Sequence, residues 1–329
     1  MKIAMIGNSG HGLGFCLPES RIEDRSYVAL APGNTGESID RAIQRLQGAG
    51  YTPKIYDDYG TLLREAKPDV VVVDNYYGCH GPVVKAALDA GCHVFSEKPL
   101  AANARELTEI EAAWHRAGTQ LTAMFNYRYN GAFYSAYQQI CAGAIGQVRL
   151  LNAQKSYKFG TRPEFMTKRA TYGGTIPWVG IHGVDWIHWM SKCAFTSVTA
   201  EQSAMGAANG TCPEITALVQ FQLQNQVMAS LTIDYLNPAT AKTHGDDRIR
   251  VVGTEGVIEV CRNTVVLTNK DGVSQPDRLP GKDADLFEDF LQQIRGTGVC
   301  RVSGADAITA TRAALLAQES ADSGKTMYF

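Results

Sequence analysis

Through the first 125 residues, short apolar runs alternate with longer stretches whose apolar positions recur every three or four residues. The runs at 2–6, 27–31, 70–73, 93–96 and 120–124 predict strands, and the periodic stretches at 38–49, 59–67, 83–90 and 104–117 predict helices between them. Asp58 and Asn103 stand where two of these helices need an N-terminal acceptor, and Glu106 follows Asn103 at capping-box spacing. Val70-Val71-Val72-Val73 has no polar alternation, which suits a central parallel strand covered on both faces. Such alternation of strands and helices predicts an α/β, doubly wound parallel sheet.

After residue 125 the pattern changes. Helices are predicted near 131–142 and 183–190, and strands at 197–203, 215–222, 227–235, 248–253, 256–261 and 265–268, joined by short turns. Helices at 283–295 and 304–322 follow. This half reads as an α+β domain on a large, mainly antiparallel open sheet, so the expected division is 1–125 and 126–329.

Composition narrows the function classes. With 45% hydrophobic and 19% charged residues the chain is a folded one, and 31 basic against 33 acidic side chains leave a net charge of −2. That balance excludes a generic nucleic-acid or anionic-membrane surface. No apolar run approaches the ~20 residues of a membrane span, and the first run is too short for a secretion signal. A soluble cytoplasmic protein is the expectation. Cysteines stand at 16, 79, 92, 141, 193, 212, 261 and 300, too scattered for a paired metal or redox motif.

Chemistry concentrates in four places. Gly7-Asn8-Ser9-Gly10-His11-Gly12 directly follows the first strand, a dinucleotide loop with Ser9 at the second glycine. Its first glycine permits a tight turn, and amides at the next helix start are expected to hold a diphosphate. Pro18 allows that helix only a short run. The tip of the second strand, Ala31-Pro32-Gly33-Asn34-Thr35, has neither a carboxylate nor an arginine. The absence of Arg or Lys between this tip and Arg41 favours NAD over NADP, while Asn34, Thr35 and Ser38 could still bind a 2′-phosphate and leave NADP open.

Glu97-Lys98-Pro99 ends a parallel strand, the edge at which ligands bind in such sheets, so Lys98 is expected to face the cofactor. The Lys–Pro bond is one that can be cis. His182 and Asp185 share a helix face at i, i+3; the imidazole suits proton exchange, and the carboxylate suits orienting it or a substrate hydroxyl. No third ligand stands beside them, so no metal is expected, and His188 reads as helix packing between Trp186 and Trp189. Asn126-Tyr127-Arg128-Tyr129 either faces a ligand or packs a hinge, and Trp178 is either a stacking platform or a core residue. Lys155, Lys158, Arg162, Lys168 and Arg169 read as a solvated strand and loop face, and His80 as a strand-end packing residue.

Together the glycine loop, Ala87–Val94 running into Glu97-Lys98-Pro99, Asn126-Tyr127-Arg128, Gly143–Val148, the helix of His182 and Asp185, Gly253–Gly256 and Glu319-Ser320-Ala321 resemble the glucose–fructose oxidoreductase/inositol dehydrogenase (Gfo/Idh/MocA) family over the full length. The resemblance implies a Rossmann domain, a C-terminal α+β domain whose open sheet makes homodimers or homotetramers, and hydride exchange between NAD(P) and a secondary alcohol of a sugar, cyclitol or glycoside. By position, Lys98 would bond the reacting oxygen, His182 would be the general acid/base and Asp185 would contact substrate hydroxyls. Asn75, Tyr76 and His80 would lie beside the cofactor, with Tyr76 where the family has proline. Where members carry Asp four residues before the histidine, this chain has Trp178. The resemblance also admits glycoside cleavage by oxidation, elimination and reduction without net cofactor turnover, and a non-catalytic sugar or nucleotide sensor.

Overall fold

The computed structural model describes residues 1–17, 24–205, 214–280 and 285–329. Pro18, Cys212 and the first two residues of the helix expected at 283–295 lie outside the described residues. In chain order the first elements are β1 (Lys2–Ile6), α1 (Gly12–Cys16), β2 (Ser26–Ala31), α2 (Asp40–Gly48), β3 (Lys54–Ile55), α3 (Tyr59–Ala66), β4 (Val70–Val73), α4 (His80–Asp89), β5 (His93–Ser96), α5 (Ala104–Ala117) and β6 (Leu121–Ala123). There follow α6 (Gly131–Cys141), β7 (Val148–Ser156), α7 (Arg169–Tyr172), α8 (Ile181–Ser191), β8 (Phe195–Ser203), β9 (Thr216–Leu223), β10 (Met228–Asp234), β11 (Arg248–Gly253), β12 (Gly256–Cys261), β13 (Thr264–Asn269) and β14 (Gly272–Ser274). α9 (Asp285–Arg295), α10 (Gly304–Ser323) and β15 (Met327–Tyr328) complete the chain. The residues divide into two compact units: Met1–Phe125 with Arg169–Gly173 and Asp283–Thr311, and Asn126–Lys168 with Gly174–Lys282 and Arg312–Phe329.

The first unit is a parallel sheet in the order β3-β2-β1-β4-β5-β6, the doubly wound arrangement expected of a Rossmann fold. All four valines of β4 are fully buried, as their unbroken apolar run requires. Asp58 Oδ1 accepts from Thr61 N at 2.8 Å and Asn103 Oδ1 from Glu106 N at 3.0 Å, so both expected caps form. α9 returns to this unit from far along the chain: Phe287 and Phe290 pack on Phe95 of β5 with centroids 4.9 and 5.6 Å away.

The second unit is a nine-stranded sheet, β14-β13-β12-β11-β7-β10-β9-β8-β15. It is antiparallel except at its centre, where β7 and β10 run parallel. The range of β7 was not among the expected strands, although Lys155 was read as lying on a strand or loop face, and β7 is the element that joins the two antiparallel halves. α8 lies close against this sheet because it presents glycine there. A Cβ at Gly180 would meet Ile233 Cδ1 at 2.4 Å, and one at Gly183 would meet Leu231 Cδ1 at 2.4 Å. Both glycines flank His182, whose height over β10 is thereby fixed.

Among the described residues no helix is long and apolar enough to cross a membrane, and no group of three or more His, Cys, Asp or Glu side chains is arranged to hold a metal ion. The seven described cysteines are free thiols.

Candidate functional site

In the first unit the carboxyl ends of β1, β2, β4 and β5 gather the glycine loop, Asn34, Asn75 and the Glu97–Lys98 turn. Gly7 has φ +84°, and a Cβ there would lie 2.4 Å from Asn75 Cα, so the tight turn after β1 admits no other residue. The loop then spends its amides on the protein's own acceptors. Asn8 N donates to Glu37 Oε1 (3.1 Å), Ser9 N to Asp74 O (2.6 Å), His11 N to Glu97 Oε2 (2.9 Å) and Gly12 N to Asp74 Oδ1 (3.0 Å). The expected picture, free amides at a helix start holding a diphosphate, is therefore modified: α1 is one five-residue turn, and carboxylates share its amides.

Glu37 corrects the reading of the β2 tip. Residues 31–35 carry no acid, yet Glu37 folds back so that Oε2 accepts from Gly33 N (3.0 Å) and Asn34 N (3.2 Å) while Oε1 accepts from Ser9 Oγ (2.6 Å). Burial raises its pKa, opposed by the Ser9 hydroxyl and the three amides. The signal in the sequence was an acid directly after the Gly33-Asn34-Thr35-Gly36 turn. Asp74, fully buried at the end of β4, was also missed. Burial, then the nearby Glu97 charge, drive its carboxyl well above the usual range.

Glu97 and Lys98 are almost wholly buried, with Nζ 3.9 Å from Oε1, and the Lys98–Pro99 peptide is cis. Burial by itself would raise the Glu97 pKa; Lys98 and His11, whose Nδ1 is 2.9 Å from Oε2, outweigh it and hold the carboxyl down at about 2. His80 is a buried brace, its ring nitrogens 2.7 Å from Pro99 O and 3.1 Å from Asn75 O; burial lowers its pKa. Asn75 Nδ2 donates to Asn34 Oδ1 (2.8 Å), and so does Tyr76 N (3.2 Å).

These residues fit a dinucleotide. Among the described residues, Asn8 Oδ1, Asn75 Oδ1 and Asp74 Oδ2 are buried around the loop without a hydrogen-bond partner.

In the second unit α8 carries His182 and Asp185, both buried. Asp185 pairs with Arg128. Its Oδ1 accepts from Arg128 Nη2 (2.7 Å) and Nε (3.1 Å), a buried fork that joins the turn at Asn126–Tyr129 to α8. His182 instead meets the Tyr127 ring edge-on at 5.3 Å. Trp178 is buried in the π-type turn at Ile176–Gly180, directly before α8, and Asn126 is half-buried at the start of its own turn.

Lys155 overturns its reading as a solvated residue: it is 0% exposed. It sits on β7 with Nζ 2.7 Å from Tyr127 Oη, 2.8 Å from Asp247 Oδ2, and 4.3 Å from the ring centres of Tyr127 and Tyr157. Burial pushes its pKa down to about 8, against the pull of Asp247. Alternation along β7, with Leu151, Ala153 and Lys155 on one face, was the available signal.

Comparison with known proteins matches both halves of the chain. Residues 2–125 match the model of the oxidoreductase family with an NAD-binding Rossmann fold, and residues 133–259 match the GFO/IDH/MocA C-terminal domain. A solved structure from Thermotoga maritima, described no further than as an oxidoreductase, is 40% identical with a TM-score of 0.94, each chain covered in full. Inositol 2-dehydrogenase of Salmonella typhimurium is 30% identical over 190 residues, 57% of this chain and 52% of its own. The chain thus spans about half the length of that relative. The oxidoreductase YrbE of Bacillus subtilis is 26% identical over 81% of this chain and 80% of its own. With a glycine loop and a Glu-Lys-Pro turn on one unit, a histidine helix over an open sheet on the other, and matches to both halves, the chain belongs to the Gfo/Idh/MocA family of NAD-binding oxidoreductases.

Proposed function

We propose that this protein is an NAD-dependent dehydrogenase that exchanges hydride with a secondary alcohol or ketone of a sugar, cyclitol or glycoside. The observation that carries the reading is Lys98: an ammonium 2% exposed, beside a carboxylate, at the ligand-binding edge of a parallel sheet. The inositol dehydrogenase relative supports cyclitols as one class to test.

The domain over 1–125 would hold the cofactor, through Gly7, Asn8, Ser9, Gly10, His11, Gly12, Asn34, Glu37, Asn75, Tyr76, His80 and Glu97, with Asn126 of the second domain (126–329) adding to them. Bound there, the nicotinamide supplies the hydride acceptor or donor. The Lys98 ammonium steadies negative charge on the reacting oxygen, and an imidazole nitrogen of His182 takes or returns the hydroxyl proton. Arg128 and Asp185 fix each other, and so order the wall formed with Tyr127 and Trp178 against which a substrate ring would lie. Glu37 favours NAD, since a carboxylate accepts from ribose hydroxyls and repels a 2′-phosphate. Tighter binding of NADP than of NAD would reverse that choice. A homodimer or homotetramer in the cytoplasm completes the reading.

The test is NAD⁺ reduction over a panel of cyclitols, aldoses, uronates and glycosides, with product identification. On a confirmed substrate Lys98→Ala is expected to lower kcat by roughly 10²–10³, the effect of losing one charge-stabilising donor. Unchanged turnover would remove Lys98 from the chemistry. Substrate loss without net NADH would favour the redox-neutral glycoside-cleaving alternative.

A further inference from the structure

The chain that follows β7 carries two cations, Lys158 and Arg162, that the chemistry above leaves unused. Lys158 N donates to His244 O at 2.9 Å, and Tyr157 and Lys158 bridge to Gly245 and Leu236, so the start of this segment is held against the two ends of 236–245. Arg162 lies over the Tyr235 ring at 4.5 Å, and the His244 ring stacks obliquely on Tyr157 at 4.8 Å. Phe159 closes the other side of Tyr235, 5.9 Å away. The result is an aromatic floor with Lys158, Arg162 and His244 around it.

Among the described residues these two cations have no acidic partner. Lys158 Nζ and Arg162 Nη2 donate only to main-chain carbonyls, of Ala241 and Lys158. Arg162 Nε is buried and makes no hydrogen bond, an arrangement that costs the full desolvation of the donor. Each nearby carboxylate is committed elsewhere: Asp247 to Lys155, Asp246 to Arg248, and Asp234 to Ser156 Oγ and Leu236 N. His244 reports the imbalance. After burial, the charges of Arg162, Lys155 and Lys158 lower its pKa, with Asp247 opposing.

The cluster also continues into the proposed substrate wall. Lys155 Nζ touches the rings of both Tyr157 and Tyr127, and Tyr127 meets His182. A guanidinium with an unused donor, beside an ammonium and a neutral imidazole on an aromatic surface, is the chemistry that recognises an oxyanion attached to a ring.

We propose that Arg162, Lys158 and His244, over Tyr157 and Tyr235, form a subsite for the oxyanion of an acidic sugar or cyclitol, so that the substrate carries a carboxylate or a phosphate. This rests on the dehydrogenase reading and narrows it. Neutral sugars would meet the aromatic floor without satisfying the Arg162 donor.

The test is calorimetric titration with D-glucuronate, D-glucose 6-phosphate and D-glucose, with and without saturating NADH, on the wild type and on Arg162→Met, Arg162→Lys and His244→Gln. Arg162→Met keeps the stem that packs on Tyr235, and a thermal melt checks its fold. At least one acidic probe is expected to bind tenfold or more tightly than D-glucose, and the better of the two identifies the anion. Arg162→Met should bring that probe down to the level of D-glucose, Arg162→Lys and His244→Gln should lose part of the difference, and D-glucose itself should be unaffected. Acidic probes that bind no better than D-glucose, or do not bind at all, overturn the proposal, as does an Arg162→Met effect equal on all three probes. Because binding is read without turnover, failure of the dehydrogenase reading shows separately, as the absence of NADH formation from any substrate.

Discussion

Residue identity sets the sign of several energies here, and Asp74 is the clearest case. Its folded pKa is raised, so the native state holds this proton more tightly than the unfolded chain does. The associated stability is complete below the unfolded value of about 4 and drains away as pH rises through the folded one. Asp74→Asn keeps an oxygen for Gly12 N and removes the charge. Its melting temperature is therefore expected to exceed that of the wild type at pH 8, with the gap closing toward pH 5; a gap independent of pH would mean that Asp74 is not the titrating group. The Arg128–Asp185 fork behaves oppositely. Asp185→Leu strands a buried guanidinium and should cost about 3–5 kcal/mol in urea unfolding, whereas Arg128→Met with Asp185→Leu should recover most of that loss. Two charged residues that read naturally as substrate ligands are thus each other's partner, a fact that i, i+3 spacing to His182 could not reveal because Arg128 is 57 residues away.

At the scale of elements, legibility followed periodicity. β4, α3 and α5 were plain in the sequence because each buries a face of one pattern and two carry caps. β7 was hidden for a physical reason: its burial alternates, but one inward position is a lysine neutralised by Asp247, so the apolar signal breaks where the strand becomes useful. β3, β14 and β15, two or three residues each, are too short for any period to register. The loop between β1 and α1 was legible as a motif but not in its wiring, since its carboxylate acceptors come from β4, β5 and the turn before α2. That wiring makes a prediction. A Cβ at Gly10 would lie 2.4 Å from Asp74 Oδ1 and 2.8 Å from Glu97 Oε2, so Gly10→Ala must push the loop off both acids. NADH affinity, followed by fluorescence, should fall at least tenfold while circular dichroism stays native; unchanged affinity would mean that this loop does not hold the dinucleotide.

For the whole molecule, the change of pattern near residue 125 told α/β from α+β, because parallel strands need helical crossovers and antiparallel ones need only turns. What no local pattern could give is that α9 returns to the first unit, a contact made by Phe287 and Phe290 across nearly two hundred residues. Each unit thus carries its own polar constellation on its own sheet, and ligands should report on them separately. Amide hydrogen exchange tests this. The amides of Asn8, His11 and Gly12 donate to side-chain carboxylates, and those of Gly33 and Asn34 to Glu37, so they open when those carboxylates move. NADH alone is expected to slow exchange at 8–12, 33–37 and 97–98 and to leave 157–162 and 236–245 unchanged. An acidic sugar alone should do the reverse, since its proposed partners all belong to the second unit. If NADH protected 157–162 instead, the cofactor would have been assigned to the wrong sheet, and the roles given to Lys98 and His182 would have to be exchanged or abandoned together.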